Sequence, residues 1–269
     1  MVTAAAIREH YDSLAFIYRT FWGDHIHHGL FAEGVDTVEE AQLRMLDRCF
    51  ALVNAGSATS ALDVGCGHGG TAVRLARVFG CEVLGITISS KQAHIARESA
   101  YKAHVEKLTN FVVDDAEMFP FAAAEFDLVW AMESTEHFSD KAAFINRAAS
   151  ALKPGGRFLI AAWTGSMQHA RVREVAQAFL CPELWTAEQY RHAIVAAGLS
   201  VRACEDLTRY VTRTWEICRQ RVHAAGVALK LLPKSVREFV GGIDVILDAY
   251  LSGSLTYTVL VATKQLESP

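Results

Sequence analysis
The sequence predicts an α/β fold, an open and mostly parallel sheet with helices on both faces, and three observations carry that reading. From Ala61 to Trp163, short strand-like runs alternate with segments of helical period. The first run feeds a turn of closely spaced glycines, Gly65-Cys66-Gly67-His68-Gly69-Gly70. The chain then closes on Leu255-Thr-Tyr-Thr-Val-Leu-Val-Ala262, an alternating β-branched strand that follows a helical excursion. Such a strand suits a hairpin edge running against its parallel neighbours.

Residues 1–55 read as a helical cap. Apolar positions recur at Ile7, Tyr11, Leu14, Phe16, Ile17 and Phe21, and again from Val38 to Val53. Between them lies Trp22-Gly-Asp-His-Ile-His-His-Gly29, with three histidines in four residues. Cysteine and carboxylate partners at ligand spacing are missing, so a polar loop edging a pocket is preferred to a metal site.

Residues 56–269 read as the sheet domain. Strand 61–64 leads to a helix near 70–79, strand 82–87 to a helix near 89–105, and strand 110–113 to Asp114-Asp115-Ala116-Glu117. Strand 126–132 leads to Glu133-Ser-Thr-Glu-His137, and a helix near 140–151 ends at Lys153-Pro-Gly-Gly156, a stop-and-turn signal before strand 157–163. A connector at 164–184, a helix at 186–197 and a strand at 200–205 follow. Residues 207–251 form a helical insertion, with apolar stretches at Trp215–Ala225, Leu229–Leu232 and Val236–Tyr250. Counting the closing strand, this is a Rossmann-like, doubly wound sheet of seven strands, the last one antiparallel.

The 269 residues are 51% apolar, enough for a sizeable core, and carry a formal charge of −4. That balance supplies no basic footprint for nucleic acid. Six cysteines show no C-x-x-C pair, which suits reduced thiols in the cytoplasm. There is no signal-peptide pattern and no run of 18 apolar residues, so membrane contact is expected to be peripheral at most.

The glycine turn is where chemistry begins. Glycine lets the backbone adopt positive φ and approach a ligand, and the helix that follows aims its unpaired N–H groups at that ligand. Gly65, Gly67 and Gly70 also satisfy the dinucleotide pattern G-x-G-x-x-G. Two features argue against a dinucleotide. Asp63 would repel a pyrophosphate but suits an ammonium, and the second strand ends in Thr87-Ile88 rather than an acidic ribose ligand.

Asp63-Val-Gly-Cys-Gly-His-Gly69 instead resembles the first motif of class I S-adenosylmethionine-dependent methyltransferases. Gly85-Ile-Thr-Ile-Ser-Ser-Lys-Gln92, Phe126-Asp-Leu-Val-Trp-Ala-Met-Glu-Ser-Thr-Glu-His137 and Leu152-Lys-Pro-Gly-Gly156 are similar to segments of one small-molecule group among them. That group includes the γ-tocopherol, sterol and cyclopropane-mycolate enzymes. The γ-tocopherol members also share a loop like Trp22–Gly29 after a Tyr-Asp like Tyr11-Asp12.

The resemblance implies S-adenosylmethionine as cofactor, released as S-adenosylhomocysteine, and assigns the site position by position. Gly65 and Gly67 would meet the amino-acid part of the cofactor, with Asp63 near its ammonium. Thr87, Ile88 and Gln92 match the ribose turn, where uncharged bonds replace the usual carboxylate. Asp115, Ala116 and Glu117 match the turn at the adenine edge. Tyr11 would close over the cofactor from the cap, and Met132 would sit beside the methyl group. Duller readings stand beside these: Gln92 as a solvated helix residue, and Asp114 and Asp115 as ordinary turn residues.

Methyl transfer from a sulfonium needs alignment first, and a base only if the nucleophile has a proton to lose. His137 is the expected base, with a loop-fixing role as the alternative, and His27 or His28 would polarise a substrate oxygen from the cap. Glu133 and Glu136 read as loop-holding or cofactor-side carboxylates. The acceptor pocket is expected between the cap and the insertion, near Phe16, Tyr18, Phe21, Trp22, Trp163, Trp185, Tyr210 and Trp215. Its aromatics suit a lipophilic or aromatic small molecule, such as a prenylated phenol, terpenoid, polyketide or alkaloid-like acceptor. The resemblance to the γ-tocopherol group favours carbon over oxygen or nitrogen as the methylated atom, although that group also holds nitrogen methyltransferases. The competing expectation is a cyclase that keeps the cofactor without transferring its methyl group.

Overall fold
A computed structural model describes residues 2–32, 37–54, 56, 58–225 and 234–266. The expected helical stretch Leu229–Leu232 lies outside these, and so do the side chains of Phe16, Phe21 and Trp22.

The central strands of the sheet are buried on both sides. In β4 (Phe126–Met132), Leu128, Trp130 and Met132 join one apolar core while Val129 and Ala131 join the other. Around it lie β1 (Ser60–Val64), β2 (Glu82–Thr87), β3 (Thr109–Val113), β5 (Leu152–Gly165), β6 (Leu199–Asp206) and β7 (Leu255–Lys264). The order across the sheet is β3-β2-β1-β4-β5-β7-β6. β1 to β5 pair in parallel, and β7 is antiparallel to both of its neighbours.

The closing strand is therefore antiparallel, as expected, but it does not form the edge. β7 is inserted between β5 and β6, and β6 takes the edge. The reason is burial: eight of the ten β7 residues are buried, which an edge strand does not need. A second difference is at Lys153-Pro-Gly-Gly156. The helix before them ends at Ala151, as expected, but they lie inside β5 rather than ahead of it, and the register to β4 shifts between Phe126 and Leu128.

The helices are α1 (Ala4–Trp22), α2 (Val38–Val53), α3 (Gly70–Phe79), α4 (Ser90–Lys102), α5 (Lys141–Ala151), α6 (Ala170–Ala178), α7 (Ala187–Ala196), α8 (Thr208–Ala225) and α9 (Lys234–Leu251). α6 falls in the stretch expected as a connector. Its nine residues are too few to hold a helix alone, and burial of Val172, Val175 and Ala176 against the fold, with α9 as its main helical neighbour, supplies what propensity does not. None of the described helices is long and apolar enough to cross a membrane.

What matters for function is where α1 is held. Arg8 Nε donates to the Ile88 carbonyl (3.1 Å), and Lys91 Nζ donates to the Asp12 carbonyl (2.8 Å). These bonds lash α1 across the turn that joins β2 to α4, so it roofs the carboxyl ends of the first strands.

Candidate active site
Strand order reverses between β1 and β4, and ligands of such sheets sit outside the strand ends at that point. A cavity of about 320 Å³ lies there. Its walls include Asp63, Gly65, Gly67, Thr87, Ile88, Gln92, Asp115, Ala116, Glu117 and Met132 from the strand ends, and Tyr11 from α1. Every residue expected at the cofactor thus shares one chamber.

The glycine turn excludes side chains, by contact at Gly65 and by backbone conformation at Gly67. At Gly65, with φ +71°, an added Cβ would lie 2.4 Å from Ser134 Cβ, and Gly67 has φ +52°. Asp63 is 3% exposed, and its Oδ2 is buried without a hydrogen-bond partner. Burial pushes this carboxyl up to about 7, with a backbone N–H bond from Ala72 opposing the rise. A buried, unpartnered carboxylate oxygen beside a glycine cradle fits the ammonium of S-adenosylmethionine.

The other walls are firmly tied. The Thr87 hydroxyl donates to Gln92 Oε1 (2.8 Å), and Gln92 is buried, not solvated. Asp115 Oδ1 accepts from the Glu117 N–H (2.9 Å), while Glu117 Oε1 accepts from the Asp140 N–H at the start of α5 (2.8 Å). The acidic turn therefore positions itself and the next helix while edging the cavity. His25 and His68 also line the chamber, each with a buried ring nitrogen lacking a partner. Sequence reasoning placed neither at the cofactor, although His68 lies inside the glycine motif itself.

A second, smaller cavity of about 40 Å³ adjoins the first. Tyr11, Ile26, His27, Glu133 and His137 line both. Its remaining walls include Tyr18, Trp163, Phe179, Trp215, Phe239 and Glu136. Of the aromatics expected here, Tyr18, Trp163 and Trp215 are present. Trp185 instead packs edge-on against Tyr190, and Tyr210 stacks on the Arg209 guanidinium at 4.4 Å. Phe179 and Phe239 arrive unannounced, because only the packing of α6 against α9 brings them together.

Glu133 is the hub of this wall, at φ +50° just past the end of β4. Its carboxylate accepts four bonds: from the His28 backbone N–H (2.7 Å), His28 Nδ1 (2.8 Å), Tyr257 Oη (2.9 Å) and Trp163 Nε1 (3.1 Å). Burial alone would raise its pKa, but His28, through its ring and its backbone N–H, together with His27 outweighs burial and holds it below the ordinary value. His28 is correspondingly committed. Its Nδ1–H goes to Glu133, its Nε2 accepts from the Trp215 indole N–H, and it does not line the larger cavity.

His137 is placed at the junction of the cavities with both ring nitrogens engaged. Nδ1 donates to the Leu180 carbonyl (3.2 Å), which leaves Nε2 to accept from the Tyr11 hydroxyl (2.7 Å). Burial pulls its pKa down to about 4, so it is neutral at physiological pH. The loop that carries it is braced by Lys141, whose buried ammonium donates to the carbonyls of Phe138 (2.8 Å) and Glu183 (2.9 Å).

The chain is similar to known proteins in sequence and in fold. Residues 2–230 match the model of the mycolic acid cyclopropane synthetase family. The 27-O-demethylrifamycin SV methyltransferase of Amycolatopsis mediterranei (strain S699) is 34% identical over 226 residues, covering 81% of this chain and 82% of that protein. Tocopherol O-methyltransferase of Arabidopsis thaliana is 28% identical over a 286-residue alignment, covering 97% of this chain and 82% of that one. The crystal structure of the cyclase SpnF shares the fold, with a TM-score of 0.84 at 23% identity over 98% of this chain and 97% of its own. The chain belongs to the mycolic acid cyclopropane synthetase family and is an S-adenosylmethionine-dependent methyltransferase.

Proposed function
We propose that this enzyme methylates a lipophilic or aromatic small molecule, seated in the smaller cavity while S-adenosylmethionine occupies the larger one. The observation that carries the reading is the shared wall of Tyr11, Ile26, His27, Glu133 and His137 between a polar, glycine-lined chamber and an aromatic one. A donor and an acceptor seated on either side of that wall would meet across it. Asp63 holds the ammonium, Gly65 and Gly67 admit the amino-acid backbone, and Thr87, Ile88 and Gln92 face the ribose. Asp115, Ala116 and Glu117 edge the adenine. Met132 borders the reacting end.

The cofactor supplies an electrophilic methyl group on a sulfonium. The protein's own part is alignment and exclusion of water, and good alignment alone accounts for about 7–11 kcal/mol of barrier. Tyr11 and His137 form one unit at the junction, the histidine keeping the phenol turned inward. We place residues 1–55 as the cap over both seats and residues 207–251 as the insertion that walls the acceptor. All six cysteines are free thiols, five of them buried, which suits the cytoplasm.

The test is a labelling screen. Purified enzyme, S-adenosylmethionine with an isotopic methyl group, and a lipophilic extract of the host are combined, and the organic phase is read by mass spectrometry. A labelled product supports methyl transfer and reveals the acceptor. A new unlabelled product with no S-adenosylhomocysteine formed would support the cyclase reading instead.

A further inference from the structure
We propose that the acceptor seat is a two-point polar site for an oxygen nucleophile: His27 takes the proton of the hydroxyl being methylated, and Glu136 donates a hydrogen bond to a second oxygen of the same molecule. The inference rests on the methyl-transfer reading above and narrows it to O-methylation of acceptors that carry paired oxygens.

The polar groups around the smaller cavity differ in how completely they are partnered. Of its histidine and carboxylate groups, Glu133 is saturated, His28 is held at both nitrogens, His137 is held by Leu180 and Tyr11, and His10, half-buried, has its Nε2 against the Tyr18 hydroxyl (3.4 Å). His27 and Glu136 differ. His27 is 5% exposed, and its Nδ1–H donates to the His28 carbonyl (2.9 Å). That bond fixes the tautomer and leaves Nε2 with its lone pair, buried and without a partner. Glu136 is 2% exposed; its Oε1 accepts the Trp163 backbone N–H (2.8 Å), and its Oε2 is buried without a partner.

Two unsatisfied polar atoms in an aromatic-walled seat demand partners from a ligand. Their characters are opposite. Burial pushes the Glu136 carboxyl up to about 8, with the Glu133 charge adding to the rise, so at neutral pH Oε2 carries a proton to donate. Burial pulls His27 down, so Nε2 accepts. A hydroxyl answers the histidine, and a carbonyl, ether or second hydroxyl oxygen answers the acid.

The step balances simply. The hydroxyl proton moves to His27 Nε2, and an electron pair of the oxygen forms the bond to the sulfonium methyl carbon. The carbon–sulfur bond breaks with its pair left on sulfur, giving a methyl ether and a neutral thioether. The resulting imidazolium is favoured by the nearby Glu133 carboxylate, which raises the proton affinity of His27, and it returns its proton to water when the seat opens.

The test uses catechol, phenol and anisole as probes of the enzyme saturated with S-adenosylhomocysteine, where no methyl group can transfer. Calorimetry should rank catechol above phenol and phenol above anisole, each step up to roughly tenfold. Glu136→Gln, whose amide still donates, should keep the catechol preference, whereas Glu136→Leu should make catechol and phenol equal. His27→Gln, which accepts but is not a base, should bind catechol within threefold of wild type. With S-adenosylmethionine, its rate of catechol methylation should fall about a hundredfold or more. Equal binding of the three probes, binding of none, or full turnover by His27→Gln overturns the proposal. If S-adenosylhomocysteine itself fails to bind, the methyl-transfer reading falls first.

Discussion

Replacing Asp63 with asparagine should separate the cost of this residue from its use. The wild-type carboxyl is raised from 3.8 to about 7 by burial. Because the folded value lies above the unfolded one, its contribution to stability is complete below about pH 4 and is lost as the pH rises through about 7. By pH 8 the ligand-free enzyme holds a buried, unpaired carboxylate at a cost of ~4 kcal/mol. The asparagine side chain would keep the acceptor for the Ala72 N–H and remove the charge. The ligand-free variant should therefore be more stable than wild type at pH 8, by up to ~4 kcal/mol, and indistinguishable from it near pH 4. Affinity should move the other way. Losing a charge-assisted bond to the ammonium costs about 1.5–3 kcal/mol, or roughly 10- to 150-fold in S-adenosylhomocysteine affinity at pH 8. Wild-type affinity should also weaken as the pH falls below about 7, because binding must then expel a proton from Asp63, while the variant's should stay flat. Urea melts from about pH 4 to 8 read the stability, and calorimetric titrations from about pH 5.5 to 8 read the affinity. A variant that binds S-adenosylhomocysteine as tightly as wild type would refute the placement of the ammonium at Asp63.

The remaining predictions concern the walls. Glu133→Ala strands His28, Trp163 and Tyr257 donors in the interior and should cost about 3–5 kcal/mol in denaturant unfolding. His137→Ala should lower turnover at least tenfold (roughly the reach of a misplaced group) with cofactor affinity unchanged. If the residue acts through Tyr11, adding Tyr11→Phe should cost little more, a non-additivity that a double-mutant cycle reads directly. Gly65→Ala places a methyl 2.4 Å from Ser134 Cβ at φ +71°, so S-adenosylhomocysteine should no longer raise the melting temperature of the variant.

Much of this was legible in the order of residues because it is local. The strand-glycine-helix unit at 60–79 follows from a short apolar run, a turn that only glycines fit and a helical period, and each can be read without knowing what packs against it. The same is true of Thr87, Gln92 and Asp115, which lie at or within a few residues of the carboxyl ends of their strands and so share one end of the sheet. The family resemblance lies in those same local segments.

What only the tertiary structure decided involves partners far apart in the chain. The interior position of β7 depends on burial on both its faces, which alternation alone does not distinguish from an edge hairpin. The histidines of the 22–29 loop look alike in sequence, yet Glu133 from 105 residues away and Trp215 from 187 away commit His28 and leave His27 with a free nitrogen. His137 is likewise spoken for by Tyr11, 126 residues earlier. Residue type announces that a group can carry a proton. Whether its lone pair is free is settled by neighbours that the fold alone delivers.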